Sequence, residues 1–167
     1  NEKKNKIRQR LWKIRAKKVI ISTGALERPL IFNDNDRPGI ILSSSIKKYI
    51  DYYGVKCGQK ISLFTNNDSV YETAISLNNS GVTVNSIIDI RDKSSSSIVK
   101  QVEKLGIKIH WKHTVVSTTG YKKISSIELM KLTDDGSAVI GNKLKEECDC
   151  LGISGGWTPM VHLFTQS

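Results

Sequence analysis

The sequence predicts an α/β fold that combines a strand–helix–strand unit with an antiparallel meander, and three observations indicate it. Apolar and helical patterns alternate from Lys60 to Asp89, over the roughly thirty residues expected of one βαβ unit. Single-residue alternation follows between Thr114 and Leu132, as in a hairpin or meander. Two short apolar segments, 17–23 and 148–154, flank these features, and each is followed by glycine.

Two strands and a helix are predicted before the βαβ unit. Residues 10–15 alternate like a strand, and the β-branched run within 17–23 is typical of a strand buried on both faces of a parallel sheet. A helix is predicted over Ser43–Tyr53, capped by a serine among residues 43–45 and ended by Gly54 in a left-handed conformation. Four apolar residues share one face of that helix: Ile46, Tyr49, Ile50 and Tyr53.

The later elements follow from the same patterns. In chain order they are a strand over 60–65, a helix over 68–80, a strand over 82–89, a helix from 94–97 to about 105, a strand over 107–111, the meander with its turn at 134–136, and a strand over 148–154.

These elements divide the chain into three predicted parts. Residues 1–42 form the first part. Residues 43–147 form an inserted, Rossmann-like NAD(P)-binding-like domain that carries the meander. Residues 148–167 form the third part, which returns to the first. This arrangement requires Ile21 and Ile153 to lie as neighbours in one layer.

The turn between the first strand and helix of the βαβ unit lacks the glycines of a dinucleotide site. The G-x-G-x-x-G pattern lets a pyrophosphate approach bare backbone at a helix N-terminus. Here Thr65, Asn67 and Val70 stand at the glycine positions, and Asp68 adds negative charge. Asp89 does end the second strand, where an acidic residue can hold a ribose hydroxyl. We expect a retained scaffold, with nucleotide binding at 65–70 left open as the alternative.

The net charge of +10 is concentrated at the N-terminus, because residues 1–18 carry +8. Nucleic-acid faces combine basic residues with stacking aromatics, but Trp12 is the only aromatic residue in this stretch. We therefore predict no nucleic-acid partner. Apolar runs too short to span a bilayer and the lack of a signal-peptide layout predict a cytoplasmic protein with no membrane partner. The chain begins without Met, so we expect its true start to be missing.

The cysteines and histidines form no pattern typical of a metal or catalytic site. Cys148 and Cys150 would point to the same side of a strand, but no second pair accompanies them, so we expect reduced thiols. His110 and His113 are predicted to be surface or hydrogen-bonded side chains, and His162 could face a cofactor. We predict no catalytic residue and no metal ligand.

Four segments together resemble the α subunit of heterotetrameric sarcosine oxidase, within the superfamily of flavoproteins that have two dinucleotide-binding domains. The segments are Arg10–Lys17, Thr23–Leu30, Asn35–Gly39 and Ser154–Pro159. In the superfamily, the Thr-Gly-Ala strand closes the first nucleotide domain and the segment ending in Thr-Pro re-enters it. The resemblance therefore implies that residues 1–42 supply the closing strands and loop of an incomplete first nucleotide-binding domain and that residues 148–167 return to it. The resemblance covers nearly the whole chain and implies an internal part of a larger subunit.

The resemblance also implies cofactors, partners and site residues. The family's α subunit binds NAD in its first domain, FAD belongs to the β subunit, and a covalent FMN lies at their interface. The complex, a hetero-oligomeric oxidase, oxidatively demethylates sarcosine to glycine with oxygen and tetrahydrofolate. The family's upstream glycine loop, folate domain and flavin-attaching residues do not occur in this chain, so we expect no catalytic competence from it alone. The residues that would border the NAD site are Thr23, Gly24, Ala25, Gly155, Gly156, Trp157, Thr158 and Pro159.

Two other interpretations stay open. Part of an NAD(P)H-dependent reductase of the same superfamily would carry an intact glycine loop at 65–70 and a redox cysteine pair. A non-enzymatic basic module would act through residues 1–18 and bind nucleic acid at low salt.

Overall fold

A parallel five-stranded sheet forms the centre of the molecule, with helices on one face and an antiparallel three-stranded sheet on the other. The computed structural model describes residues 8–166. In chain order the elements are β1 (Ala25–Glu27), β2 (Ile40–Leu42), α1 (Ser43–Tyr53), β3 (Ile61–Thr65), α2 (Ser69–Asn79), β4 (Val84–Asp89), α3 (Ser97–Lys104), β5 (Lys108–Trp111), β6 (His113–Thr119), β7 (Ser126–Leu132), β8 (Val139–Glu147), β9 (Cys150–Ser154), β10 (Trp157–Pro159) and a short 3-10 helix (Phe164–Gln166).

The strand order of the central sheet is β2-β9-β3-β4-β5, and every pairing in it is parallel. The meander β6-β7-β8 is antiparallel, and β1 pairs with β10 in a separate two-stranded sheet. The predicted α/β class, with a βαβ unit and a meander, is therefore confirmed. Within residues 8–166 no helix is long and apolar enough to cross a membrane.

Successive side chains of a strand point to opposite faces of the sheet. Both faces of the central sheet are buried, because the helices cover one and the meander covers the other. In β3, Leu63 packs into the helix-side core and Phe64 into the meander-side core. The helix side is filled by residues such as Val70 and Leu77, and the meander side by residues such as Leu129. Burial on two faces explains why these strands read as continuous apolar runs.

The predicted helices and strands between residues 43 and 132 are confirmed with shifts of a few residues at their ends. Gly54 ends α1 at φ 63°, as expected for a left-handed stop. The predicted serine cap of α1 is wrong, because Leu42 occupies the N-cap position and the helix has no side-chain hydrogen bond from that residue. Instead the backbone N–H of Ser44 donates to Glu27 Oε2 at 2.9 Å.

The strands predicted over 10–15 and 17–23 are wrong, since the structure gives these residues no regular secondary structure and leaves residues 8–20 exposed. Ile20 is 90% exposed. A strand needs a neighbour to receive its backbone hydrogen bonds, and no described strand pairs with this segment. The prediction that Ile21 and Ile153 are neighbours in one layer is also wrong, because only Ile153 belongs to a sheet.

The strand predicted over 148–154 is confirmed as β9, but its neighbours were not foreseen. It lies inside the central sheet, between β2 and β3, rather than beside the strand predicted at 17–23. Gly152 permits this position, since a Cβ there would come within 2.7 Å of Ile46 on α1. The domain boundaries between residues 42 and 43 and between residues 147 and 148 stay predictions. The central sheet contains strands from both sides of each boundary, since β2 and β9 lie outside 43–147 and β3, β4 and β5 lie inside it.

Candidate functional site

The two end segments of the chain meet in the β1–β10 pair. Ala25 lies opposite Pro159, Leu26 opposite Thr158 and Glu27 opposite Trp157. The structure thus brings together the two groups of residues that the sequence predicts to border a cofactor. The pairing, rather than a shared layer of the central sheet, is what joins the two ends.

Hydrogen bonds extend this pair at both of its ends. The hydroxyl of Thr23 donates to the carbonyl of Met160, and the Met160 N–H donates to the Gly24 carbonyl at 2.9 Å. Beyond the other end, the Arg28 N–H donates to the Gly156 carbonyl at 2.8 Å, and the Gly155 N–H donates to the Arg28 carbonyl at 2.6 Å. The ladder therefore continues past the strands proper and fixes both segments against each other.

Gly155 is needed for this close approach. A Cβ at Gly155 would lie 2.8 Å from the Pro29 carbonyl oxygen and 3.1 Å from that of Arg28. Backbone atoms cannot move aside as the end of a flexible side chain can. Any larger residue at Gly155 would push the two chain segments apart.

Glu27 anchors β1 to the main body, a role that the sequence analysis missed. It is the one buried residue of its strand, and its carboxylate accepts the Ser44 N–H at the start of α1. A negative charge at this end of a helix is stabilised by the unpaired N–H groups and the helix dipole. The only hint in the sequence was an acidic residue two positions after the Thr-Gly-Ala motif.

A surface depression of about 280 Å³ lies beside the β1–β10 pair. This volume lies close to the lower end of the range of about 300–1,000 Å³ that small-molecule pockets enclose. The depression is lined by Ile21, Ser22, Thr23, Gly24, Pro159, Met160, Val161 and Phe164. Of the predicted border residues, Thr23, Gly24 and Pro159 lie in this lining, whereas Ala25, Gly155, Gly156, Trp157 and Thr158 do not.

The turn that replaces a glycine loop is filled by its own side chains. Asn67 Oδ1 accepts the Ser69 N–H at 3.0 Å and the Ser69 hydroxyl at 2.5 Å. This carboxamide oxygen thus occupies the acceptor position at the start of α2 that a phosphate oxygen takes in a dinucleotide site. Val70 is fully buried in the helix-side core, where the pattern has its third glycine.

Asp89 is also engaged within the protein. Arg91 binds its carboxylate in a bidentate pair, Nε to Oδ1 at 3.0 Å and Nη2 to Oδ2 at 2.8 Å. The Tyr71 hydroxyl donates to Oδ2 at 2.8 Å, and Arg91 Nη2 lies 2.7 Å from Asp68 Oδ1. Asp89 is completely buried. A ribose hydroxyl would have to displace one of these partners.

Burial and charge in this network each hold Tyr71 and Arg91 in one protonation state. Burial raises the pKa of Tyr71, and the neighbouring negative charge of Asp89 raises it further. The hydrogen bond to Asp89 raises the pKa of Arg91, so the guanidinium stays charged. The sequence signal for this network was Arg91, two residues after the strand-ending acid, which the sequence analysis did not use.

The histidines and cysteines lie away from the β1–β10 pair, except for His162. As predicted, two histidines are hydrogen-bonded: His110 Nε2 lies 2.6 Å from Glu146 Oε1, and His113 Nδ1 lies 2.6 Å from the Trp111 carbonyl. His162 is exposed, and its carbonyl accepts the Thr165 hydroxyl. No group of residues within 8–166 is arranged to hold a metal ion.

The cysteine geometry corrects one prediction. Cys148 lies in the meander-side core and Cys150 in the helix-side core, so the two thiols do not share a side of the sheet. The reason is that Cys148 precedes β9 and is not part of it. Burial raises the pKa of each of these thiols to about 12, which makes them poor nucleophiles.

Relatives of the chain are sarcosine oxidase α subunits. It is 38% identical over 159 residues to the subunit of Corynebacterium sp. (strain U-96), covering 95% of this chain and 16% of that protein. It is 37% identical to the subunit of Corynebacterium sp. (strain P-1), with the same coverage. It is 35% identical to that of Rhizobium meliloti (strain 1021), covering 93% of this chain and 14% of that protein. The chain thus spans about a sixth of the curated relatives it matches.

Solved structures show the same fold at low identity. The T. acidophilum thioredoxin reductase superposes with a TM-score of 0.64 at 18% identity, over 86% of this chain and 45% of that one. A 2-naphthoyl-CoA reductase superposes with a TM-score of 0.63 at 16% identity, over 86% of this chain and 21% of that one. The bacillithiol disulfide reductase of Staphylococcus aureus gives 0.56 at 15% identity, over 83% and 39%.

No family model matches the chain. The curated relatives nevertheless carry the same name, and their alignments cover 93–95% of this sequence. The resemblance predicted from four short segments is confirmed: this chain belongs with the α subunits of sarcosine oxidase, as the counterpart of about a sixth of their length.

Proposed function

We propose that this chain is the nucleotide-binding scaffold portion of a sarcosine-oxidase-like α subunit. In this proposal Thr23, Gly24 and Ala25, with Gly155–Pro159, border an NAD site whose remaining wall comes from elsewhere in the subunit. The observation that carries the proposal is the β1–β10 pair, which places both segments side by side at an open depression.

The same pair supports wider bounds for the inserted unit than the predicted 43–147. The chain leaves the β1–β10 pair after Glu27 and comes back to it at Trp157, and the central sheet and meander lie between these crossings. We propose that residues 28–156 form the inserted unit and that the residues on either side of it belong to the first nucleotide domain.

The proposal assigns the chemistry to other parts of the complex. NAD is bound by the first domain, FAD and FMN belong to the wider hetero-oligomeric oxidase, and oxidative demethylation of sarcosine takes place there. The chain positions the nucleotide and contributes no catalytic residue. We keep the cytoplasm as the proposed location and the other oxidase subunits as the proposed partners.

The turn at 65–70 is proposed to be a retained scaffold, not a second nucleotide site. Asn67 Oδ1 accepts the Ser69 N–H at the start of α2 and Arg91 pairs with Asp89, so both groups that would receive a dinucleotide already have partners. These facts also disfavour an NAD(P)H-dependent reductase with a working loop, as does the placement of Cys148 and Cys150 on opposite faces.

Thr158→Asp tests the proposed NAD border. Thr158 is exposed on β10, so a carboxylate there would repel the pyrophosphate while the fold stays intact. We expect the Kd for NAD, measured by calorimetry on the natural protein with its partners, to rise about tenfold, equivalent to about 1.4 kcal/mol.

Tyr121→Asp is the matched control, because Tyr121 is 94% exposed before the second strand of the meander. It adds the same charge away from the β1–β10 pair and should leave the Kd unchanged. Equal affinities for the two variants would contradict the proposed border.

A further inference from the structure

The turn after β3 holds the segment that links β9 to β10. Asn66 Nδ2 donates to the Gly155 carbonyl at 3.3 Å, and Asn67 Nδ2 donates to the Ser154 carbonyl at 3.3 Å. The same Asn67 nitrogen lies 3.0 Å from the Ser154 hydroxyl oxygen. Two consecutive asparagines thus reach across to two consecutive residues of the other segment.

A third contact fixes the indole of Trp157. Its Nε1–H donates to the Ser69 hydroxyl at 3.2 Å, and that hydroxyl donates in turn to Asn67 Oδ1 at 2.5 Å. Asn67 is therefore the centre of the arrangement: its oxygen binds the start of α2 and its nitrogen binds Ser154. The two ends of one carboxamide join the former phosphate turn to the strand that leads into β10.

We propose that the loop Asn66–Ser69 is a positioning site for the segment Ser154–Trp157. It occupies the place of a phosphate-binding turn, and it sets the path of the chain through Gly155 and Gly156. The consequence for a nucleotide rests on the proposed function, since only then does this path shape the wall of the NAD site. Asn66, Asn67 and Ser69 act through the segment and do not touch the nucleotide.

The segment needs such a support because its own residues supply little. Gly155 and Gly156 have no side chain to pack, and Gly156 adopts φ 95°, a conformation open mainly to glycine. On one side the backbone is held by Arg28. The loop Asn66–Ser69 holds it from the other side. Each hydrogen bond that holds the segment reduces local opening of the two glycines about threefold to tenfold.

The first test uses Ser69→Ala, with Ser76→Ala as its matched control. Both serines lie on α2, but the hydroxyl of Ser76 bonds only to Asp51, away from the segment. We expect hydrogen exchange of the peptide covering 154–158 to accelerate about threefold to tenfold in Ser69→Ala, the factor that corresponds to one lost hydrogen bond. Ser76→Ala should leave it unchanged. Both are measured by mass spectrometry on the natural protein with its partners.

The second test, Asn67→Asp, separates positioning from helix stability. Its oxygen still accepts the Ser69 N–H, and a negative charge at a helix N-terminus is favourable, so α2 should be unharmed. It loses the donor to Ser154 and should accelerate exchange at 154–158 without lowering the urea midpoint. Asn78→Asp, an exposed change on the same helix, is the control.

The outcomes distinguish the two proposals. Accelerated exchange together with weaker NAD binding supports both. Accelerated exchange in a protein that binds no NAD even unmutated supports the positioning role and refutes the proposed function. Exchange at 154–158 equal to that of the controls overturns the positioning role. Accelerated exchange that leaves the Kd for NAD unchanged supports the positioning of the segment but overturns its consequence for the NAD wall.

Discussion

The central sheet and the N-terminal segment of this molecule contain similar apolar sequences, but only those in the central sheet form strands. The apolar run in β3 is completely buried between two cores, whereas the β-branched run at 19–21 is not in any strand, and Val19 and Ile20 are exposed. The difference is the presence of neighbours, because β3 has strands on both sides and layers on both faces. A strand-like sequence forms a strand only where other parts of the chain can pair with it.

Leu63→Ala against Ile20→Ala is the sharpest test of this contrast. Leu63 is fully buried in β3, so its truncation should lower the free energy of unfolding by about 3–4 kcal/mol through lost burial and a cavity. Truncation of exposed Ile20 should change it by less than about 0.5 kcal/mol. Urea denaturation of the 167-residue chain provides the measurement. Similar losses for both would show that Ile20 packs against the chain itself.

Arg91→Ala should lower the free energy of unfolding somewhat less than Leu63→Ala does. It leaves the buried carboxylate of Asp89 without its bidentate partner, but Arg91 is 34% exposed and water can partly replace it. We expect a loss of about 2–3 kcal/mol in the free energy of unfolding, below the usual range for a fully buried pair. Lys93→Ala, which removes an exposed partner of Glu103, should cost less than about 1 kcal/mol. A loss for Arg91→Ala no greater than this would argue against the network.

Glu146 gives the fold a pH dependence through a carboxylate that is largely buried. Burial raises the pKa of Glu146, but the hydrogen bonds from His110 and Ser86 outweigh it and lower the pKa to about 2. The carboxylate therefore stabilises the fold fully above its ordinary pKa of 4.5 and progressively less as the pH falls towards 2. The whole shift corresponds to about 3.4 kcal/mol, and solvent screening of this partly accessible group reduces the expected loss to about 2 kcal/mol.

Glu146→Gln should remove that part of the slope in urea denaturation between pH 2.5 and 7. The control is Glu147→Gln, since Glu147 is an exposed neighbour paired with Lys60. A gap between the natural chain and Glu146→Gln that stays constant across the pH range would contradict the assignment.

The central region could be predicted from sequence because its signals are local and mutually consistent. Apolar spacing gave α1, Gly54 gave its end, and the turn at 134–136 gave the meander its corner. The Thr-Gly-Ala and Gly-Gly-Trp-Thr-Pro motifs also identified both halves of the candidate site. Their partnership was predicted, but in the wrong place: they meet in the β1–β10 pair and not in the central sheet.

The remaining features depend on contacts between distant residues. Nothing local in Glu27 indicates that it meets the start of α1, and nothing in Asn66 or Asn67 indicates that they reach Gly155 and Ser154. The division of Cys148 and Cys150 between two cores likewise depends on where β9 begins.

The sequence by itself determined the fold class, most elements, the loss of the glycine turn and the relation to sarcosine oxidase α subunits. These follow from residue types at fixed spacings, which the chain carries wherever it folds. Only the tertiary structure decided that β9 lies between β2 and β3, that the end segments pair through β1 and β10, and that side chains fill the turn at 65–70. Strand neighbours and long-range hydrogen bonds are chosen by the packing of the whole chain, because each must bury its apolar faces and satisfy its polar groups at the same time.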